Sequence, residues 1–179
     1  MKWLIALITA LTVNTVAHAD TQPFNLSLAP DVAIFDRDTR IEGLTLSLWG
    51  QNPQTALSLG VINGSTGQSG GFSWALVLNY TDSYTGIQWA PINYSSGEFL
   101  GWQHGFINIA EGSMTGLQSG WINYANRLNG LQFGVINVAM TVDAGLQIGL
   151  INVIQQNDHW FTDLPNELAP AMIFVNWRF

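Results

Sequence analysis

The sequence contains no cysteine, a single lysine and few charges of either sign. Without thiols there are no disulfides, no thiolate nucleophile and no cysteine-ligated zinc. The one lysine is Lys2; beyond the first 19 residues four arginines stand against twelve acids, a net charge of about −8. Such a chain repels polyanions, which excludes nucleic acid as a partner. Charged residues make up 9% of the 179, where an average soluble domain has roughly 25%. No apolar run of about 18 residues follows the N-terminal stretch, so a helical membrane protein is excluded. Disorder is excluded by the opposite excess, 47% hydrophobic and 12% aromatic residues.

What is present begins with an export pattern. Met1-Lys2 is a short basic start, Trp3 to Val16 is mostly apolar, and Ala17-His18-Ala19 has the small-x-small form of a cleavage site. The expectation is a secretory signal over residues 1–19, cleaved after Ala19, and one domain over 20–179. About 160 residues suffice for one domain with an interior.

The most specific feature is a repeat spanning roughly residues 57–154. Its clearest copies start at Gly116 (GLQSGWINYA), Gly130 (GLQFGVINVA) and Gly145 (GLQIGLINVI), and degenerate copies start at Gly86 and Gly101. Asparagines recur at Asn63, Asn79, Asn93, Asn108, Asn123, Asn137 and Asn152, fourteen to sixteen residues apart. Each unit has about nine β-prone residues and a short polar connector. Glycine and β-branched residues inside each unit disfavour helix. Between Leu44 and Gln155 the only charges are Asp82, Glu98, Glu111, Arg127 and Asp143, all in connectors. Strands that cross a bilayer exclude charge in this way, because a charge at lipid depth costs several kcal/mol.

Three further strands are expected, at Pro23–Leu28, Glu42–Trp49 and Ala169–Phe179, which with seven repeat strands gives about ten. Trp49, Trp74, Trp89, Trp102, Trp121, Trp160 and Trp177 fall about one per strand or hairpin and are candidates for aromatic belts at lipid–water interfaces. The fold expected is therefore all-β: an antiparallel transmembrane β-barrel of about ten short strands. The alternative is a β-solenoid with coils of about 15 residues, in which Asn would stack on Asn and Gln on Gln. The side-chain parity is inconsistent with one flat face. Asn137 alternates in phase with Leu131, Phe133 and Val135, whereas Asn79 lies opposite Phe72, Trp74 and Leu76. A bulge would repair the phase.

The terminal strand, with Ala171, Ile173, Val175, Trp177 and Phe179 alternating to the last residue, resembles the C-terminal signature of bacterial outer-membrane β-barrels. That resemblance implies residence in the bacterial outer membrane, contact with its lipid, and recognition of Val175, Trp177 and Phe179 by the barrel-assembly machinery. The unit G-L-Q-x-G-x-x-N-x-A resembles the motif of poorly characterised bacterial surface-repeat proteins. It implies an exported, envelope-associated protein and transfers no functional residues.

The chemistry expected is sparse. In a barrel, Gln88, Gln103, Gln118, Gln132 and Gln147 would line the lumen, and a strand set without charges would pass at most small uncharged solutes. A non-enzymatic structural or interaction role follows, with an exported solenoid binding module as the alternative. A rim-active lipid hydrolase or acyltransferase would need Ser119 beside His104, the base within hydrogen-bond reach of the hydroxyl; no nucleophile motif surrounds Ser119. Asp36 and Asp38 lack a full calcium-loop pattern and are interleaved with Arg37 and Arg40. His159, beside Asp158 and near Asp163, reads as a solvated loop. No cofactor and no metal are expected.

Overall fold

The structure, a computed structural model, describes residues 21–179; the export signal and its cleavage point lie outside the described residues. The elements are β1 (Thr21–Ala29), β2 (Val32–Ala33), β3 (Arg40–Asn52), β4 (Gln54–Trp89), β5 (Ile92–Ser95), β6 (Phe99–Ile154) and β7 (Ala171–Arg178), with no helix among the described residues. The pairing corrects the barrel. β1 pairs parallel with β3, β3 with β4, β4 with β5 and β6, and β5 with β6. Strands β4 and β6, 36 and 56 residues long, are several turns of one continuous winding. The chain is a parallel β-solenoid, and there is neither a transmembrane barrel of ten antiparallel strands nor a lumen.

Register shows why. Gly86 pairs with Gly101, Gln88 with Gln103 and Asn93 with Asn108, so each coil lays its own repeat on the preceding one. A repeat in every strand of an antiparallel barrel would run up and down alternately and would not bring like residues together. Parallel stacking does so at the inter-strand spacing of about 4.8 Å.

The interior has three kinds of column. One is glutamine, Gln88 to Gln147; one is asparagine, Asn79 to Asn152; the third is apolar, running Tyr84, Phe99, Met114, Leu128 and Val142. Small residues, Ala110, Ala125 and Ala139, fill the space beside the third, and the column is closed at its far end by Ile154. Tyr84 and Phe99 stack with ring centroids 5.8 Å apart. Gln132, Asn137 and Val142 are successively five residues apart and all buried. An odd spacing puts residues on opposite faces of a flat strand. Here the chain turns a corner between each pair, so all three point inward, with Val135 at one corner exposed.

This also accounts for Asn79. Gly71 and Asn79 are eight apart, whereas Gly86 and Asn93 are seven apart, yet Asn79 pairs with Asn93. One extra residue in that segment restores the phase. The Gly corner is a second requirement. Gly71, Gly86, Gly101, Gly116 and Gly130 have φ between 110° and 142°, and a Cβ on Gly86 would overlap the carbonyl oxygen of Gly71 in the coil beneath. Only glycine satisfies both the dihedral and the close approach.

An antiparallel strand lies at each end of the stack, two residues long at the N-terminal end and eight at the C-terminal end. β2 pairs with β1, and β7 lies on the last coil of β6, Trp177 opposite Leu146 and Asn176 opposite Gln147. An uncovered coil would present unpaired N–H and C=O groups to another chain. The alternating terminal strand is thus real, and it closes a solenoid.

Candidate functional site

Glutamines 88, 103, 118, 132 and 147 do not line a passage. Each is at most 1% exposed, inside the coil. Nε2 of Gln118 donates to Oε1 of Gln103 at 2.9 Å, Gln132 to Gln118 at 2.8 Å and Gln147 to Gln132 at 2.7 Å. The second proton of Gln132 goes to the Val138 carbonyl at 3.2 Å, across a narrow interior. The asparagines run the other way: Asn93 donates to Asn108, Asn108 to Asn123, Asn123 to Asn137 and Asn137 to Asn152, at 2.8–2.9 Å. Their second protons go to position-equivalent carbonyls of the next coil, those of His104, Ser119, Phe133 and Ile148. The two ladders therefore point their amide dipoles in opposite directions. They hold the core together and are inaccessible to a ligand.

Whatever binds this protein meets its outer columns. Columns offset by one to two positions from the ladders carry Trp74, Trp89 and His104 on one line and Leu76, Pro91, Phe106 and Trp121 on another. Between them run the small residues Ala75, Ala90, Gly105 and Gly120. The result is an apolar groove of about 410 Å³, parallel to the solenoid axis. It continues as a second apolar hollow of about 380 Å³, reaching Val135 and Ile136 and sharing Phe106 and Trp121. A groove exists because the floor residues have at most a methyl group while the rims are bulky and mostly aromatic. Trp121 is 66% exposed, and Phe106 meets it edge-on at 5.7 Å.

The aromatics expected in two belts are instead distributed along this axis and at the ends. Trp74, Trp89 and Trp121 border the groove, and half-buried Trp102 lies 6.4 Å from Trp89. Trp49 donates its Nε1 proton to Tyr80 Oη at 3.0 Å. Trp160 is exposed near the C-terminal end, and Trp177 Nε1 donates to the Pro165 carbonyl at 2.9 Å. Val175, Trp177 and Phe179, read as an assembly signal, belong to the closing strand and its terminus, with Phe179 exposed.

The structure does bring Ser119 and His104 together. Ser119 Oγ lies 2.9 Å from His104 Nδ1 and receives the Trp102 Nε1 proton at 2.7 Å. Trp89 meets the His104 ring edge-on at 4.9 Å. Among the described residues no carboxylate is hydrogen-bonded to His104, and the backbone around the dyad belongs to paired strands. Of the pair, His104 lines the groove.

The remaining candidates are placed elsewhere. Arg37 pairs with Asp31 at 2.6 Å and Arg40 with Glu42 at 3.2 Å, so the arginines neutralise two of the acids in this segment. His159 Nδ1 is 3.0 Å from Glu167 Oε1, a contact sequence reasoning missed because Glu167 lies eight residues on. Glu167 is buried and also holds Arg178 and the backbone N–H groups of Asp158 and His159. Burial pushes its carboxyl up, but the His159 ring, these N–H groups and Arg178 together hold it below the ordinary glutamate range. This network fastens the C-terminal closure. Among the described residues no three His, Cys, Asp or Glu side chains gather as a metal site. Compared with known proteins, the chain matches no protein family, no curated protein and no solved structure.

Proposed function

We propose that the protein is a non-enzymatic, exported β-solenoid that works as a binding module of the bacterial cell envelope, engaging a partner through its apolar groove. The observation that carries this reading is the groove itself, an aromatic-rimmed trough on a small-residue floor, open along several coils. Contiguous exposed apolar surface of this extent marks an interaction site. The repeat holds it rigid, because each rim residue is anchored by the amide ladder one or two positions away. The envelope location is supported by the export pattern ending at Ala19 and by the surface-repeat resemblance.

The Asn and Gln residues take no part in binding; they set the pitch at which the rim residues repeat. A titration with the uncharged apolar dye Nile red tests the reading. Saturable binding that is abolished by Trp121→Asp and preserved by Ser119→Ala is expected. Non-saturating binding, or binding indifferent to Trp121→Asp, would remove the groove as the site.

A further inference from the structure

Four observations bear on what covers the apolar face. The first is its length. Exposed apolar residues follow one another along one line, Leu76, Phe106, Trp121, Val135 and Leu150, and Ile173 of the closing strand shares a hollow with the adjacent Ile151. The line crosses five coil steps, roughly 24 Å at about 4.8 Å each, and a bilayer surface covers all of it together with both rims. The second is the placement of charge. Each coil has about 15 residues, and Asp82, Glu98, Glu111, Arg127 and Asp143 lie about half a coil from the groove rims. The solenoid is therefore amphipathic across its width. The third is the border between the two sides. Half-buried Tyr80 and Tyr94 stand there with apolar bodies and polar tips, Tyr80 Oη accepting from Trp49 and Tyr94 Oη donating to Glu111 Oε2 at 2.7 Å. Aromatic rings with a polar tip settle where apolar and aqueous phases meet.

The fourth is the backbone. Lipid does not tolerate unpaired N–H and C=O groups. In this fold the inner coils spend their hydrogen bonds on their neighbours, so the face turned outward presents side chains, and β7 closes the C-terminal edge. The sign of the lipid follows from the charge. The repeat region has one arginine, Arg127, already bound to Asp143 by two hydrogen bonds of 2.7 and 2.9 Å. With a net charge of about −8 beyond the first 19 residues, the repeat region repels an anionic headgroup.

Resting on the binding-module reading above, we infer that the partner is the surface of a lipid bilayer with neutral headgroups. The solenoid lies lengthwise in one leaflet, its groove columns among the acyl chains and its charged edge in water. It lies on the membrane as an amphipathic helix does and does not span it.

The test uses the full chain and flotation with phosphatidylcholine vesicles. The wild type is expected to float, and brominated phosphatidylcholine is expected to quench its tryptophan fluorescence. Replacing part of the lipid by phosphatidylglycerol is expected to lower the bound fraction. The double variant Phe106→Glu, Trp121→Glu, both side chains already exposed, is expected to bind at least about tenfold more weakly with its far-UV spectrum unchanged. Quenching of the wild type needs no variant, so a folding defect in the double variant would not remove the test. A wild type that stays at the bottom as a monomer, tighter binding to phosphatidylglycerol, or an unaffected double variant would each overturn the inference. If the wild type ignores vesicles but forms dimers that the double variant dissolves, the lipid inference fails and the binding-module reading stands. If the double variant changes neither, both fail.

Discussion

Replacing Asn123 by Asp changes one NH₂ group to oxygen without changing shape, and the structure makes this small change expensive. Asn123 Nδ2 donates to Asn137 Oδ1 at 2.8 Å and to the Phe133 carbonyl at 3.1 Å, and Oδ1 accepts from Asn108 at 2.8 Å. An aspartate would keep the last bond and set an oxygen against two acceptors. Each lost bond that leaves a buried group unsatisfied costs about 1–3 kcal/mol. Ionisation in an interior where Asn123 is wholly buried adds the penalty of an unpaired charge, several kcal/mol, so the carboxyl holds its proton and its pKa rises. A raised folded pKa gives stability that is fully present below the unfolded value of about 3.9 and is lost as pH rises towards the folded value, at about 1.4 kcal/mol per pH unit. Urea unfolding followed by circular dichroism, with Asn129→Asp on an exposed connector as control, should show a loss of roughly 3–6 kcal/mol relative to wild type at pH 7, of which a substantial part returns at pH 4. Asn129→Asp should change little at either pH. A loss below about 1 kcal/mol for Asn123→Asp, independent of pH, would refute the reasoning, because it would mean that Asn123 faces water.

Two further predictions concern backbone fit and the C-terminal closure. Gly105→Ala should prevent recovery of folded protein, because its methyl would overlap the Ala90 carbonyl oxygen, while Gly67→Ala, at φ +58° with open space around it, should cost only about 1–2 kcal/mol; expression and thermal melts of the two compare them. The lowered pKa of Glu167 contributes stability present above the ordinary glutamate range and lost as pH falls through the folded value. The closure over residues 155–179 should therefore loosen in acid, read as faster amide exchange there, and Glu167→Gln should loosen it at neutral pH and remove the acid step.

Much of this molecule is legible in the sequence, and one inference from it fails for a definite reason. The repeat length, the β character and the Ser119–His104 proximity are readable, whereas the expected connectors mostly continue the strand, so that Asp82, Glu111, Arg127 and Asp143 lie within β4 and β6. Charge exclusion, however, has two causes, lipid outside or dry packing inside, and the sequence offers both at once. The phase of the repeat distinguishes them. Asn63 to Asn152 recur in the same place in every unit, which has no purpose when consecutive strands reverse direction and an obvious one when like lies on like. The five-residue step from Gln132 to Asn137 to Val142 is the second sign, since an odd step keeps all three inside only if the chain turns corners. The uniformity of the Gln-Gly positions, suited to a narrow lumen, reflects a ladder in which each amide must match the next. The groove was not legible, because it depends on small residues at Ala90, Gly105 and Gly120 coming into line across coils.

The measurement that bears most directly on the solenoid is a series of distances between pairs of spin labels, introduced at single cysteines in a chain that has none of its own. With one label at Gln155 and the other at Asn126, Glu111, Ser96 or Asp82, all exposed and at equivalent places in their coils, a coil spacing of about 4.8 Å predicts separations rising steadily, to about 10, 14, 19 and 24 Å before label length is added. Successive connectors of an antiparallel barrel lie at opposite ends of its strands, so distances that alternate between short and long along this series would contradict the account.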